Sequence, residues 1–368
     1  MDRRTLLSLL AGASVGLAGC SNQSPDTPTG TPADTSTPPG TDAPTETPTA
    51  TPTEEPTAEP TETPTEDERA RLAIEDARTA LGETVDAYEA AARRQERADA
   101  TIVTVDVNRD FSTDRLEEPL TRATDALDRA ERLADRERMA TVRRLRRAAD
   151  WLGTVGRAQA EASDAHEAYV RLRDAVYDGE ESAAATAASD LDSLIVPVDR
   201  QLIAAREAAE PSDVAEVPGL SERLFGQKLA QLDAAVRTFD LLADEGESTA
   251  SSIATVETGV TAYRERRRRE ARNAFRDVKN DLRAASTRLS EPDLSASRVG
   301  EEVADLGCVC GALGDAAADL GESAAAWRNG NRRKRDRLLE EAKEALTGCR
   351  RRAFNRVPVV EQVRDLDP

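Results

Sequence analysis

"VGEEVADLGCVCGALGDAAADLGESAAAW", residues 299–327, decides how this chain folds. Val299, Val303, Leu306, Cys310, Leu313, Ala317, Leu320, Ala324 and Trp327 recur in alternating steps of four and three. A half-buried strand would alternate every second residue, whereas this stepping keeps the apolar groups on one stripe of a helix that packs lengthwise on its neighbours. The same stepping runs through Leu116, Leu120, Ala123, Leu127, Ala130 and Ala134, and through Phe225, Leu229, Leu232, Val236 and Phe239. Ile74, Leu81 and Tyr88 repeat every seven residues behind a capping-box pattern, Thr65-Glu66-Asp67-Glu68. Breaks fall at 108–113, Asp178-Gly179, Pro211 to Gly219, Glu245-Gly246, Glu291-Pro292 and Asn329-Gly330. These observations predict an all-α fold of about eight helices in elongated antiparallel bundles, with Pro197 kinking the fourth and Gly153 and Gly156 loosening the third. The Pro211 to Pro218 interval marks the expected boundary between two consecutive four-helix bundles, 66–210 and 219–356, followed by a tail over 357–368; one continuous elongated bundle is the alternative. Three β-prone runs, Thr101 to Val107, Leu194 to Val198 and Val357 to Val360, read as extended connections, two of which have the composition to pair as a ribbon.

Ahead of the helices the composition changes twice. The first 19 residues join Arg3-Arg4 to a short apolar run diluted by Ser8, Gly12, Ser14 and Gly16, too short to span a bilayer and patterned as a signal peptide. From Ser21 to Thr65 the chain is Thr, Pro and acids, with no Lys, Arg or aromatic residue. No core forms from that composition. As a stiff polyproline segment at about 3.1 Å per residue, 20–65 reads as a disordered stalk reaching on the order of 100 Å, and Thr beside Pro is the composition of O-glycosylated stalks.

The order Arg3-Arg4-Thr5-Leu6-Leu7, with Asp2 in place of the usual Ser or Thr, resembles the twin-arginine export signal. Leu17-Ala18-Gly19-Cys20 resembles the lipobox of exported lipoproteins, which implies cleavage before Cys20 and a two-chain lipid on its thiol, a durable membrane anchor on the external face of the cell membrane. The chain holds 70 acidic against 50 basic residues, and only Lys228, Lys279, Lys334 and Lys343 are lysines. With the two N-terminal motifs, this acid-rich, Lys-poor balance resembles exported lipoproteins of extremely halophilic archaea. The resemblance covers the first 65 residues and the composition, and names no family for the helices.

Positive charge is concentrated in "RERRRREARNAFR" (264–276), "RNGNRRKRDR" (328–337), Arg350 to Arg352 and Arg356. Arg264, Arg266, Arg267, Arg268, Arg269, Arg332, Arg333, Lys334 and Arg335 read either as partners of neighbouring acids such as Glu301, Glu302, Asp305 and Asp315 or as a basic patch for an anionic partner: a lipid headgroup, an acidic glycan or an acidic surface protein. Nucleic acid is not the expected partner, since a chain of net charge -20 with 3% aromatic residues lacks the electrostatic and stacking footprint.

His166, the one histidine, lies in the row Leu152, Val155, Gln159, Ala162, His166, Tyr169 and reads as a core residue. No Glu precedes it by three and no His follows by four, so the di-iron and zinc-protease helix patterns are missing, and no Gly-rich strand-to-helix turn accompanies it. No catalytic constellation, metal-ligand set or cofactor motif emerges, and an enzyme is not expected. Cys310 sits in the apolar row and Cys349 in a matching row with Leu339, Ala342 and Leu346; about equally distant from Asn329-Gly330, they are expected to form a disulfide or a close pair of buried thiols, with Cys308 free. The sequence therefore predicts a lipid-anchored surface protein acting by contact, as a spacer, scaffold or adhesive module. The alternative is a lipoprotein that binds a ligand or metal and delivers it to a membrane partner.

Overall fold

A computed structural model of the chain describes residues 64–93, 100–108, 110–290 and 294–367; the expected signal peptide (Arg3, Arg4), the expected lipobox (Leu17, Ala18, Gly19, Cys20) and the expected stalk up to 63 lie outside them. Helix α1 (Glu66–Arg93) starts where the capping box predicts: Glu68 N–H donates to Thr65 Oγ1 at 3.2 Å, and Thr65 N–H donates to the Glu68 carboxylate at 2.9 Å. A 3-10 turn (Ile102–Thr104) leads to α2 (Asp114–Leu133) and α3 (Arg136–Asp178). The start of α3 is fixed by Asp135, whose carboxylate accepts from the backbone of Glu137 and Arg138. Gly179, at φ 70°, ends it, and α4 (Glu181–Ala208) and the short α5 (Pro211–Val214) follow. Beyond come α6 (Glu222–Arg264), α7 (Arg268–Leu289), α8 (Arg298–Arg328), α9 (Arg332–Ala345), α10 (Arg351–Phe354) and α11 (Pro358–Arg364). The fold is all-α, with no strand among the described residues.

The break expected at Glu245-Gly246 does not occur; α6 runs through it for 43 residues. Gly246 serves packing instead of termination, because a Cβ there would lie 2.8 Å from Leu172 Cδ1 of α3. Paired contacts fix the arrangement of these two long helices. Trp151 meets Phe225 at 5.1 Å between ring centroids, Tyr169 meets Phe239 at 5.3 Å, Leu172 faces Gly246, and Gly179 faces Ala254. Numbers rise together along both helices, so α3 and α6 run parallel, with α4 as the returning helix packed on both. Gly156 likewise admits Leu116 of α2, its absent Cβ position lying 2.6 Å from Leu116 Cδ1, and α3 continues unbroken across it.

One apolar cluster extends from Ala73 of α1 to Leu366, and the described residues form a single body. The expected division into bundles at 66–210 and 219–356 is thereby replaced by the alternative of one continuous bundle, because α6 carries apolar residues toward α3 and α4 along one part and toward α7 and α8 along another. The expected tail over 357–368 is also corrected: Val357, Val359, Val360, Val363 and Leu366 are buried. Of the β-prone runs, Leu194 to Val198 lies inside α4 and Val357 to Val360 enters α11, since tertiary burial overrides local strand preference.

The disulfide joins Cys308, not Cys310, to Cys349, with Cα atoms 5.9 Å apart. Helix α9 ends at Ala345, four residues before Cys349, so the helical phase that aligned Cys349 with Cys310 is lost in the turn after Leu346. Cys308 lies on the exposed side of α8 where that turn passes, while Cys310 is free and fully buried, its thiol pKa pushed up to about 12 by desolvation. Closing a loop with a sequence separation of 41 contributes about 3–4 kcal/mol by the chain-entropy relation.

Candidate anion-binding site

Two helix-to-helix turns carry the arginine runs. Both α6 and α8 end with the same backbone hydrogen bonds: Arg267 N–H to Ala262 O (2.8 Å) with Arg266 N–H to Tyr263 O (3.0 Å), and Asn331 N–H to Ala326 O (3.0 Å) with Gly330 N–H to Trp327 O (3.1 Å). This double bond pattern requires a left-handed residue, normally glycine, just past the helix. At the α8 turn it is Gly330, at φ 72°. At the α6 turn it is Arg266, at φ 62°, the one non-glycine residue with positive φ among those described. A left-handed non-glycine residue costs about 1 kcal/mol or more. The fold retains an arginine where glycine is the easier choice.

That arginine lines a cavity of about 590 Å³ with Tyr263, Arg264, Arg268, Trp327, Arg332, Arg335, Asp365, Leu366 and Asp367. Trp327 organises one wall: the Arg268 guanidinium carbon lies 4.6 Å from the indole centroid, that of Arg335 lies 5.5 Å away, and the Tyr263 ring is 5.3 Å away. Tyr263 is held in turn by a 2.8 Å hydrogen bond with Ser323 Oγ, and Ser323 Oγ donates to Arg335 O at 3.0 Å. Opposite, α11 is pinned to α6 where Arg264 donates to Gln362 O (2.9 Å) and Gln362 donates to Glu257 (2.9 Å), which brings Asp365 and Asp367 to the rim.

Of the nine basic residues expected to form a patch, Arg264, Arg266, Arg268, Arg332 and Arg335 converge on this cavity, and Arg267, Arg269, Arg333 and Lys334 do not line it. Arg267 is tied to Glu265 and Glu270, and Lys334 to Glu322 at 3.2 Å. The acids expected to neutralise the patch pair elsewhere: Asp315 with Arg283, Asp305 and Glu301 with Arg352, Glu302 with Arg173 and Arg356. Arg335 pairs with Asp336, but Arg266, Arg268 and Arg332 have no carboxylate in ion-pair reach among the described residues, and the buried Arg268 Nε has no hydrogen-bond partner.

A second polar centre escaped the sequence reading. Lys228 is fully buried, and its Nζ donates to Val105 O (2.6 Å), Gln159 Oε1 (2.7 Å) and Gln231 Oε1 (2.8 Å), while lying 5.3 Å from the Tyr88 ring centroid. Gln231 also donates to Val103 O. The run over 101–107, expected as an extended connection, is here a 3-10 turn followed by irregular backbone laid into the bundle, and its carbonyls at Val103 and Val105 are met by side-chain donors of α6. An ammonium has three donors and this one spends all three on protein oxygens, leaving none for a ligand. Burial lowers the Lys228 pKa to about 7 against an opposing pull from Asp106. Two signals were available: Lys228 falls on the Phe225–Leu229–Leu232 stripe, and Gln159 interrupts the apolar row of α3.

His166 is corrected from core residue to the half-buried rim of a cleft of about 300 Å³, stacked on Tyr169 at 5.6 Å beside Asp164, Glu167 and Asp110. Desolvation lowers its pKa. No cluster of three or more His, Cys, Asp or Glu residues is placed to hold a metal ion among the described residues. Comparison of the chain with protein-family models, with curated proteins and with solved structures finds no match.

Proposed function

We propose that this chain is an exported, lipid-anchored surface protein of the halophilic type, whose helical body stands off the membrane on the Thr/Pro stalk and acts by contact, engaging an anionic partner through the arginine-lined cavity. The observation that carries this reading is a cavity lined by five arginines, four of which, Arg264, Arg266, Arg268 and Arg332, have no carboxylate partner among the described residues, in a chain of net charge -20. In so acidic a protein unneutralised arginines have many carboxylates to choose from, and a site that keeps them apart is suited to an external anion. No described helix is long and apolar enough to cross a membrane, and in this reading the lipid on Cys20 carries the attachment.

Cell fractionation and envelope binding test the two halves. Cys20→Ala is expected to shift the protein from the membrane fraction to the medium or to an uncleaved precursor; a cleaved variant that stays on the membrane refutes the anchor. The purified chain is expected to bind isolated cell envelopes, and Arg266→Glu with Arg268→Glu to abolish that binding. Undiminished binding by the double variant refutes contact through the cavity.

A further inference from the structure

We infer that the cavity is a binding site for a hydroxylated organic anion of the sugar-acid or sugar-phosphate class, its anionic group held by Arg266, Arg268 and Arg332 and its hydroxyls by Asp365 and Asp367. This rests on the contact reading above and narrows the ligand.

The wall chemistry separates the ligand classes. Guanidinium groups present forked donors that match the oxygens of a carboxylate, phosphate or sulfate. A purely anionic surface laid on this site would meet Asp365 and Asp367 as well, and like charges repel it. Those two carboxylates accept hydrogen bonds only, so the ligand that completes the site donates to them while it accepts from the arginines. A neutral sugar leaves the guanidinium charge uncompensated; inorganic phosphate offers the carboxylates at most its own P–OH groups, and sulfate offers them no donor. A hydroxylated anion answers both, and the excess of guanidinium over carboxylate in the lining favours a net negative charge over a zwitterion.

Size and preorganisation agree. The volume of about 590 Å³ lies within the range of small-molecule sites, roughly 300–1,000 Å³, and exceeds what one phosphate needs. Trp327 holds Arg268 and Arg335 in place before any ligand arrives, so less side-chain freedom is lost on binding. The orphan Arg268 Nε is a donor without an acceptor, and the left-handed Arg266 is strain retained at the cavity wall. Replacing Arg266 by glycine relieves that strain while removing a ligand contact, so one variant moves stability and binding in opposite directions.

Calorimetric titration of the full-length chain with glucuronate, glucose 6-phosphate, glucose and inorganic phosphate tests the inference. Glucuronate or glucose 6-phosphate is expected to bind at least roughly tenfold more tightly than phosphate, a difference of about 1.4 kcal/mol, with no heat from glucose. Asp365→Asn with Asp367→Asn is expected to erase the preference over phosphate without weakening phosphate. Arg266→Gly is expected to weaken the sugar anion about tenfold with an equal or higher melting temperature. Equal affinity for phosphate and both sugar anions overturns the inference but leaves the contact reading standing, and so does silence from every probe while envelope binding still depends on Arg266 and Arg268. Glucose binding as tightly as glucuronate overturns it also, as does an Arg266→Gly variant that binds the sugar anion normally.

Discussion

Lys228 sets the pH behaviour of the folded body. Its ammonium is enclosed by carbonyl oxygens and the Tyr88 ring, and desolvation holds its pKa at about 7, well below the value of about 10.4 for a lysine in water. Between those values the unfolded chain binds a proton that the folded chain has released, so Lys228 makes stability rise with pH from about 7, while the buried Cys310 thiol, its pKa pushed up to about 12, offsets this rise above about 8.5, where an unfolded thiol ionises. Below pH 7 both states are protonated and this contribution is flat. Tyr88 and Tyr169, whose burial raises their pKa well above 10, act in the other direction and take stability away above about pH 10. Urea midpoints measured between about pH 7 and 8.5 should therefore climb in the native chain, and Lys228→Met should remove the climb. Parallel profiles for the two proteins would show that Lys228 does not titrate in this window.

At the scale of the helices, α7 and α8 pack against each other along a row of glycines. Gly300, Gly307, Gly314 and Gly321 repeat every seven residues on α8, and the positions where their Cβ atoms would stand lie against Leu294, Leu289, Lys279 and Phe275 in descending order, so α7 runs antiparallel along a glycine seam. Removing Cβ atoms lets two backbones approach. An added methyl at Gly307 would sit 2.6 Å from Ser290 Oγ and 3.0 Å from the Leu289 carbonyl carbon, whereas at Gly226 of α6 nothing lies within 4 Å. Gly307→Ala is expected to lose about 1–3 kcal/mol through overpacking against backbone. Gly226→Ala is expected to gain about 0.5–1 kcal/mol from helix propensity. Equal urea midpoints for the two variants would deny the seam. The heptad spacing of these glycines was present in residues 299–327 beside the apolar row, but spacing alone does not distinguish a seam from a weakened helix; the neighbour decides that.

For the whole molecule, a single apolar cluster through α3, α4, α6, α7 and α8 predicts one cooperative unfolding transition. The chain offers a direct readout, because its two tryptophans stand on α3 and α8. In Trp151→Phe the fluorescence reports Trp327, in Trp327→Phe it reports Trp151, and in each variant the fluorescence and far-ultraviolet circular dichroism midpoints should coincide. Separate midpoints would restore two independent bundles. The helices themselves, the capping box at Thr65 and the turns at Gly179 and Gly330 were legible in the sequence, since periodicity, caps and left-handed glycines act over one or two turns. The Arg264 to Arg269 run was legible as charge, but its turn was not, because Arg266 stands where the local rule asks for glycine. By itself the sequence determined the helical class and the basic runs, and it alone carries the proposed export, lipid-anchor and stalk readings of the first 65 residues. Only the tertiary structure decided that α6 is continuous, that Cys308 and not Cys310 meets Cys349, that Lys228 is buried under Val105, and which five arginines share a cavity. Those outcomes depend on the relative register of helices distant in the chain, which is set by the shapes that fill the space between them and not by the spacing along any one helix.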